Sequence, residues 1–232
     1  MSITPSAQEA VDERYYRHAG SISFARRVSS LARRRVHELF MQRLQPKPGD
    51  RILDIGVSDE TEIEANMLEQ LYPDRENITC ASLSDGKSIL SAYPGVQHVQ
   101  IRAGEPLPFS DNAFDIVYSN AVIEHTGSGT DQRKFIAEMC RVAPRRFLVA
   151  PNRMFPIEHH TGLPLVHYLP KAWFRKLLRG TRYDIWSYEE NLNYVSASDL
   201  RAMWPGNDPT IVYSGIGFGR WKSNLVAYSS SK

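Results

Sequence analysis

Between residues 51 and 150, short apolar runs alternate with longer stretches of mixed polarity, and this alternation limits the chain to few architectures. Residues 51–55, 78–83, 96–101, 114–118 and 146–150 have strand length and are rich in Ile, Val and Phe. Residues 62–72, closed by Pro73, have helical length. So do residues 131–142, with Phe135, Ile136, Met139 and Val142 on one side. Strands separated by helical crossovers pair in parallel, and helices then cover both faces of the sheet.

The flanks complete this scheme. Phe24, Val28, Leu31, Ala32, Val36, Leu39, Phe40 and Leu44 recur at helical spacing, and Pro46 and Pro48 stop the helix they define. After the fifth strand, residues 151–170 are rich in proline and histidine, and residues 171–178 and 197–203 form two short helices. Strands at 210–214 and 223–228 are joined by Gly215-Ile216-Gly217-Phe218-Gly219, a length that suits an antiparallel hairpin at or near the sheet edge. The expected fold class is therefore α/β, with a Rossmann-like, mostly parallel sheet of seven strands, helices on both faces and an antiparallel C-terminal strand. A single domain spans residues 1–232. Its parts are an N-terminal helical cap (1–48), a core (49–151), an insertion covering the site (152–195) and a final helix with the hairpin (196–232).

Composition excludes several alternatives. The 232 residues are 42% hydrophobic and 23% charged, ordinary for a globular protein, and a net charge of +2 implies no polyanionic partner. Cys80 and Cys140 sit in apolar stretches and read as free buried thiols of a reducing, cytoplasmic compartment. No basic and apolar leader opens the chain, and no stretch reaches the roughly 20 apolar residues of a membrane span.

In an open parallel sheet, ligands bind beyond the carboxyl ends of the strands, near the point where strand order reverses. Those ends carry Asp54-Ile55-Gly56-Val57-Ser58, Ala103-Gly104-Glu105, Ser119-Asn120-Ala121-Val122-Ile123-Glu124-His125 and Pro151-Asn152-Arg153. Leu53-Asp54-Ile55-Gly56 resembles the first motif of class I S-adenosylmethionine-dependent methyltransferases. Leu107-Pro108-Phe109, Phe114-Asp115-Ile116-Val117 and the run from Ser119 to His125 are similar to later motifs of that family, in the same order. Residues 151–160 also resemble a segment of a bacterial subset of that family, and the domain as a whole resembles its bacterial small-molecule type, the type 11 group.

The resemblance implies S-adenosyl-L-methionine as cofactor. It counts Asp54 among the cofactor-binding residues, and places the backbone of Gly56, Val57 and Ser58 along the methionine moiety and Gly104 and Glu105 along the adenine. Asn120 and Ala121 would lie near the sulfonium and Ser82 where the ribose is held, with Leu83 and His125 also among the cofactor-binding residues. Two departures stand out. The family's Gly-x-Gly turn reads Gly56-Val57-Ser58 here, and Ser82 occupies the position of an acidic residue that grips the ribose hydroxyls. A serine cannot supply the bidentate grip of a carboxylate.

The acceptor side rests on histidines. His125 is a candidate general base, or alternatively a turn cap or packing partner of the cofactor. Glu158, His159 and His160 are candidates for acceptor contact. A metal set of Glu158, His160 and His167 is disfavoured, because adjacent histidines point apart, so no metal is expected. From Ser21 to Lys47 there are seven Lys or Arg against Glu38 alone, a charge better explained by a solvated helix face than by nucleic acid.

The expected activity is methyl transfer to an oxygen or nitrogen of a small polar or sugar-like acceptor, with a homodimer admitted. The rivals are a non-catalytic binding module of the same fold and a nucleic-acid methyltransferase. A nicotinamide dehydrogenase is disfavoured, because no Gly-x-Gly-x-x-Gly follows the first strand.

Overall fold

The computed structural model describes residues 23–59, 65–206 and 209–230, with the side chains of residues 23–28 outside the description. A seven-stranded sheet organises it: β1 (Ile52–Ile55), β2 (Ile78–Ser82), β3 (Gln97–Gln100), β4 (Ile116–Asn120), β5 (Arg145–Pro151), β6 (Thr210–Ser214) and β7 (Asn224–Ser229). Their order is β3-β2-β1-β4-β5-β7-β6. Pairs among β1 to β5 are parallel, while β7 runs antiparallel between β5 and β6. The expected hairpin therefore inserts its second strand into the sheet and leaves the first at the edge.

The central strands are buried on both faces, so their side chains alternate between two cores. Ile116, Tyr118, Phe147, Val149, Val226 and Tyr228 point to one layer, and Val117, Leu148, Ala150, Leu225 and Ala227 to the other. Helix α1 (Ser23–Leu44) supplies Val36, Phe40 and Leu44 to the first layer. Phe40 packs edge-on against both Tyr118 and Phe147, with ring centroids 5.3 and 5.4 Å apart. Of the apolar stripe on this helix, Ala32 is also buried, Leu39 is partly buried and Leu31 is exposed, while the side chains of Phe24 and Val28 lie outside the described residues.

The second layer is closed by two helices identified in sequence order after α2 (Met67–Leu71) and α3 (Lys87–Ala92). They are α4 (Gly129–Val142), contributing Ile136, Met139 and Val142, and α6 (Ala197–Met203), contributing Leu200. Ser128 caps α4 through Asp131 N–H, and Ser196 with Asp199 forms a capping box on α6, which fixes where each helix starts. Helix α5 (Lys171–Leu178) belongs to a third apolar cluster of Phe174, Leu178, Tyr183, Trp186, Leu192 and Tyr194. This cluster lies wholly within the segment between β5 and α6.

Some elements differ from the sequence expectation. Strand β4 begins at Ile116 rather than Phe114, whose ring instead meets Phe109 edge-on at 4.9 Å. The helix expected over 62–72 is helical only from Met67, because Asn66 takes a left-handed φ of 42°; residues 62–64 of that expectation lie outside the described residues. Helix α3 was not anticipated, since Ile89 is its single buried residue and no stripe marks it. Both cysteines are free, Cys80 buried and Cys140 only partly so. No helix among the described residues is long and apolar enough to cross a membrane.

Candidate active site

Strand order reverses between β1 and β4, so the crevice for a ligand opens where these two strands end. Ser119 Oγ donates to the Ile55 carbonyl at 3.0 Å and locks the two ends together. Gly56 follows with a φ of +89°, and a Cβ there would meet Val122 Cγ2 at 2.2 Å. Glycine is therefore required both by conformation and by the close passage of the β4 exit. Beyond it, Ser58 N–H donates to Asn66 Oδ1 at 2.9 Å, and Asn66 Nδ2 donates to the Ser58 carbonyl at 2.8 Å. Two side-chain bonds thus close the loop where the resemblance would place a second glycine.

Asp54 faces the first core layer beside Glu69, and both residues are buried. Burial, with the neighbouring Glu69 carboxylate, raises Asp54 well above the usual range. Burial also raises Glu69, against the donors that Glu69 Oε1 receives, among them Cys80 Sγ–H at 3.3 Å. Two carboxyls held this way share a proton.

At the end of β2, Ser82 Oγ lies 2.9 Å from Ser84 Oγ and 2.9 Å from His98 Nε2, and Gln100 Nε2 donates to the Leu83 carbonyl. Ser82, Ser84 and His98 form a neutral hydroxyl and imidazole cluster at the position where a carboxylate was expected from the resemblance. Gly104 takes a φ of +76° with no atom within 4 Å of a Cβ built on it, so that backbone is open. Ala121 holds a left-handed φ of 58° beside Asn120. A cavity of about 940 Å³ joins these positions, and Asp54, Gly56, Ser58, Ser82, Gly104 and Asn120 all line it. Val57, Leu83, Glu105 and Ala121 line it as well, so every cofactor position read from the sequence meets in one space. Its size suits a cofactor together with a small acceptor.

Glu124, His125, Glu158, His159 and His160 also line the cavity. Glu124 and His125 sit on a single 3₁₀ turn, Ile123–His125, directly after β4. That turn is pinned from below, for Asn193 N–H donates to the Glu124 carbonyl at 2.7 Å, and Gln132 Nε2 bridges the carbonyls of Ile123 and Asn193. His125 Nδ1 donates to the Asn191 carbonyl at 2.6 Å, which leaves Nε2 facing His160 Nε2 at 3.4 Å. Burial, and then the neighbouring His160, push the His125 imidazole down to about 3, so it is neutral at physiological pH. Burial pushes Glu124 up to about 7, against the pull of His160.

Glu158 is not free for an acceptor. Its Oε1 accepts from His160 Nδ1 at 2.9 Å, from His160 N–H at 3.0 Å and from the Tyr194 hydroxyl, and its Oε2 accepts from Thr161 N–H. Burial opposes its charge, but these donors outweigh burial and hold the carboxyl well below its usual range. His167 donates Nε2–H to the Phe155 carbonyl at 2.8 Å, so the trio Glu158, His160 and His167 does not present a common set of free ligand atoms. His159 turns from its neighbour toward Phe155, with ring centroids 5.4 Å apart; burial first, and then His160, lower it to about 4. Asn66, His98, Asn191, Asn193 and Tyr194 carry no spacing motif that marks them in the sequence; Asn66 acts on Ser58 across 8 residues, His98 on Ser82 across 16 and Asn191 on His125 across 66.

A sequence profile described as "Methyltransferase domain" matches residues 53–146, a span that contains the exits of β1, β2 and β4 and the Glu124–His125 turn. Residues 53–146 carry a methyltransferase domain. No curated protein matches the chain in sequence.

Among solved structures, one from Thermotoga maritima, described as a SAM-dependent methyltransferase and possible histamine N-methyltransferase, is 14% identical with a TM-score of 0.61, covering 96% of this chain and 99% of that one. Magnesium protoporphyrin IX methyltransferase from Synechocystis PCC 6803 with bound SAH is 16% identical with a TM-score of 0.57, covering 96% and 94%. A Rhodobacter sphaeroides protein described as a putative Zn-dependent alcohol dehydrogenase is 12% identical with a TM-score of 0.62, covering 99% and 100%. At such identities these three show a shared fold alone.

Proposed function

We propose that the chain is a class I S-adenosylmethionine-dependent methyltransferase, which moves the electrophilic methyl group of its sulfonium cofactor to an oxygen or nitrogen of a small polar or sugar-like acceptor. The cavity carries this reading. It joins the cofactor positions to Glu124, His125, His159 and His160, and its 940 Å³ would be filled by a cofactor and one small molecule. In this reading Gly56, Val57 and Ser58 hold the methionine moiety and Asp54 supports their turn. Gly104 and Glu105 meet the adenine, Ser82 and Leu83 the ribose, and Asn120 and Ala121 the sulfonium side. The polar groups of Glu124, His125, His159 and His160 hold the acceptor. Methyl transfer is an in-line displacement that depends chiefly on placement, so these groups contribute by fixing the acceptor against the methyl carbon and by excluding water.

Nucleic acid is disfavoured as acceptor, because the helix bearing the basic run is docked on the sheet through Val36, Phe40 and Leu44. We also assign the methyltransferase to a reducing cytoplasmic compartment, which is supported by its two free thiols. The deciding experiment incubates the full chain with methyl-labelled S-adenosylmethionine and separate pools of small amines, small hydroxyl compounds, RNA and DNA. Label in a small-molecule pool supports the proposal. Label confined to RNA or DNA, or to none of the pools, overturns it.

A further inference from the structure

His125 and His160 meet with their Nε2 atoms 3.4 Å apart and their rings nearly perpendicular. Each has its other nitrogen committed as a donor. His125 Nδ1–H is given to the Asn191 carbonyl, and His160 Nδ1–H to the Glu158 carboxylate. With both Nδ1 atoms donating, two facing Nε2 atoms that carry no proton are lone-pair acceptors, which repel unless something electropositive lies between them. Beside them Glu124 is buried, its side chain 1% exposed, with both carboxylate oxygens lacking any hydrogen-bond donor. Its Oε1 lies 3.8 Å from His125 Nε2. One ligand atom from each of Glu124, His125 and His160 falls within 4.8 Å of the others.

We propose that Glu124, His125 and His160 bind one divalent transition-metal ion in the cavity. Two ligands about 2.0–2.1 Å from a tetrahedral ion stand roughly 3.3–3.4 Å apart, which is the separation of the two Nε2 atoms here. Two imidazoles and one carboxylate select Zn²⁺, Co²⁺ or a similar ion over Mg²⁺ and Ca²⁺, which require oxygen ligands. The outer contacts also fit, since metal-bound histidines commonly give their second N–H to a carboxylate or a backbone carbonyl, as both do here. All three residues line the cavity, so a fourth coordination position would open into it. An oxygen or nitrogen of the acceptor would take that position. This site is distinct from the set Glu158, His160 and His167, since Glu158 serves here as an outer partner.

The test strips the full-length protein with chelator and titrates it with Zn²⁺ by calorimetry and with Co²⁺ by visible absorption. Wild type takes up one equivalent, with intense d–d bands of a four- or five-coordinate Co²⁺. Glu124→Gln and His160→Asn, each verified as folded by circular dichroism, lose that equivalent, and Glu158→Gln weakens it about 10–100-fold. His159→Asn, a neighbouring imidazole outside the set, retains it. The proposal fails if folded wild type binds neither ion, as it would if the two histidines merely shared a proton. It also fails if Glu124→Gln and His160→Asn both keep wild-type stoichiometry and spectrum. If a variant does not fold, the wild-type titration still decides the matter. Binding of S-adenosylhomocysteine is measured in parallel, so loss of the metal reading leaves the methyl-transfer reading separately tested.

Discussion

Asn66 grips Ser58 from both sides, accepting its N–H at 2.9 Å and donating to its carbonyl at 2.8 Å. The loop that follows β1 thereby gains from a side chain the closure that a second glycine would give through backbone alone. Asn66→Ala is expected to leave the fold intact and to weaken binding of S-adenosylhomocysteine roughly 10-fold, about 1.4 kcal/mol. Calorimetric titration of both proteins measures this. Equal affinities would show that the loop holds its shape without the clamp.

Gly56 and Val122 are expected to be energetically coupled. Gly56→Ala places a Cβ 2.2 Å from Val122 Cγ2 at a φ of +89°, and should cost about 1–3 kcal/mol in urea denaturation. Adding Val122→Ala removes the clash but not the strain of a positive φ. The double variant should therefore be more stable than the sum of the single effects predicts, by at least about 0.5 kcal/mol. Strict additivity would contradict the close approach of the two strand exits.

The Asp54–Glu69 pair sets a pH dependence of stability. Burial raises both carboxyls above their unfolded values, and Glu69 raises Asp54 further. A carboxyl raised on folding contributes stability that is complete below its unfolded pKa, near 4, and is lost as pH climbs through the folded value. Wild-type stability should thus fall on going from acid toward neutral and alkaline pH through this pair. Glu69→Gln, which removes one titrating group and relieves the other, should flatten that fall. Urea midpoints across the pH range report it, and parallel profiles for the two proteins would refute the shared proton.

The strands were legible because buried parallel strands need continuous apolar runs, and β1, β2 and β5 were found within a residue or two of those runs. Strand β4 shifted because Phe114, apolar and buried, packs against Phe109 instead of extending the strand. Helix α3 escaped because six residues with one buried side chain show no period. In the site, the strand-end positions from Asp54 to His125 could be read from local order, and they line one cavity. The partners that give them chemistry could not. Asn191 reaches His125 across 66 residues, and Tyr194 reaches Glu158 across 36, through a segment whose own apolar cluster decides where it lies. Glu158 looked like an acceptor contact in the sequence. Folding commits both of its oxygens to His160, Thr161 and Tyr194.

The central claim is that the exits of β1, β2 and β4 form a working cofactor site although Ser58 and Ser82 depart from the family pattern. Calorimetric titration of the folded full chain with S-adenosylhomocysteine tests it most directly. The account predicts one saturable site of micromolar affinity, and no detectable binding at millimolar ligand by a protein that melts cooperatively would contradict it.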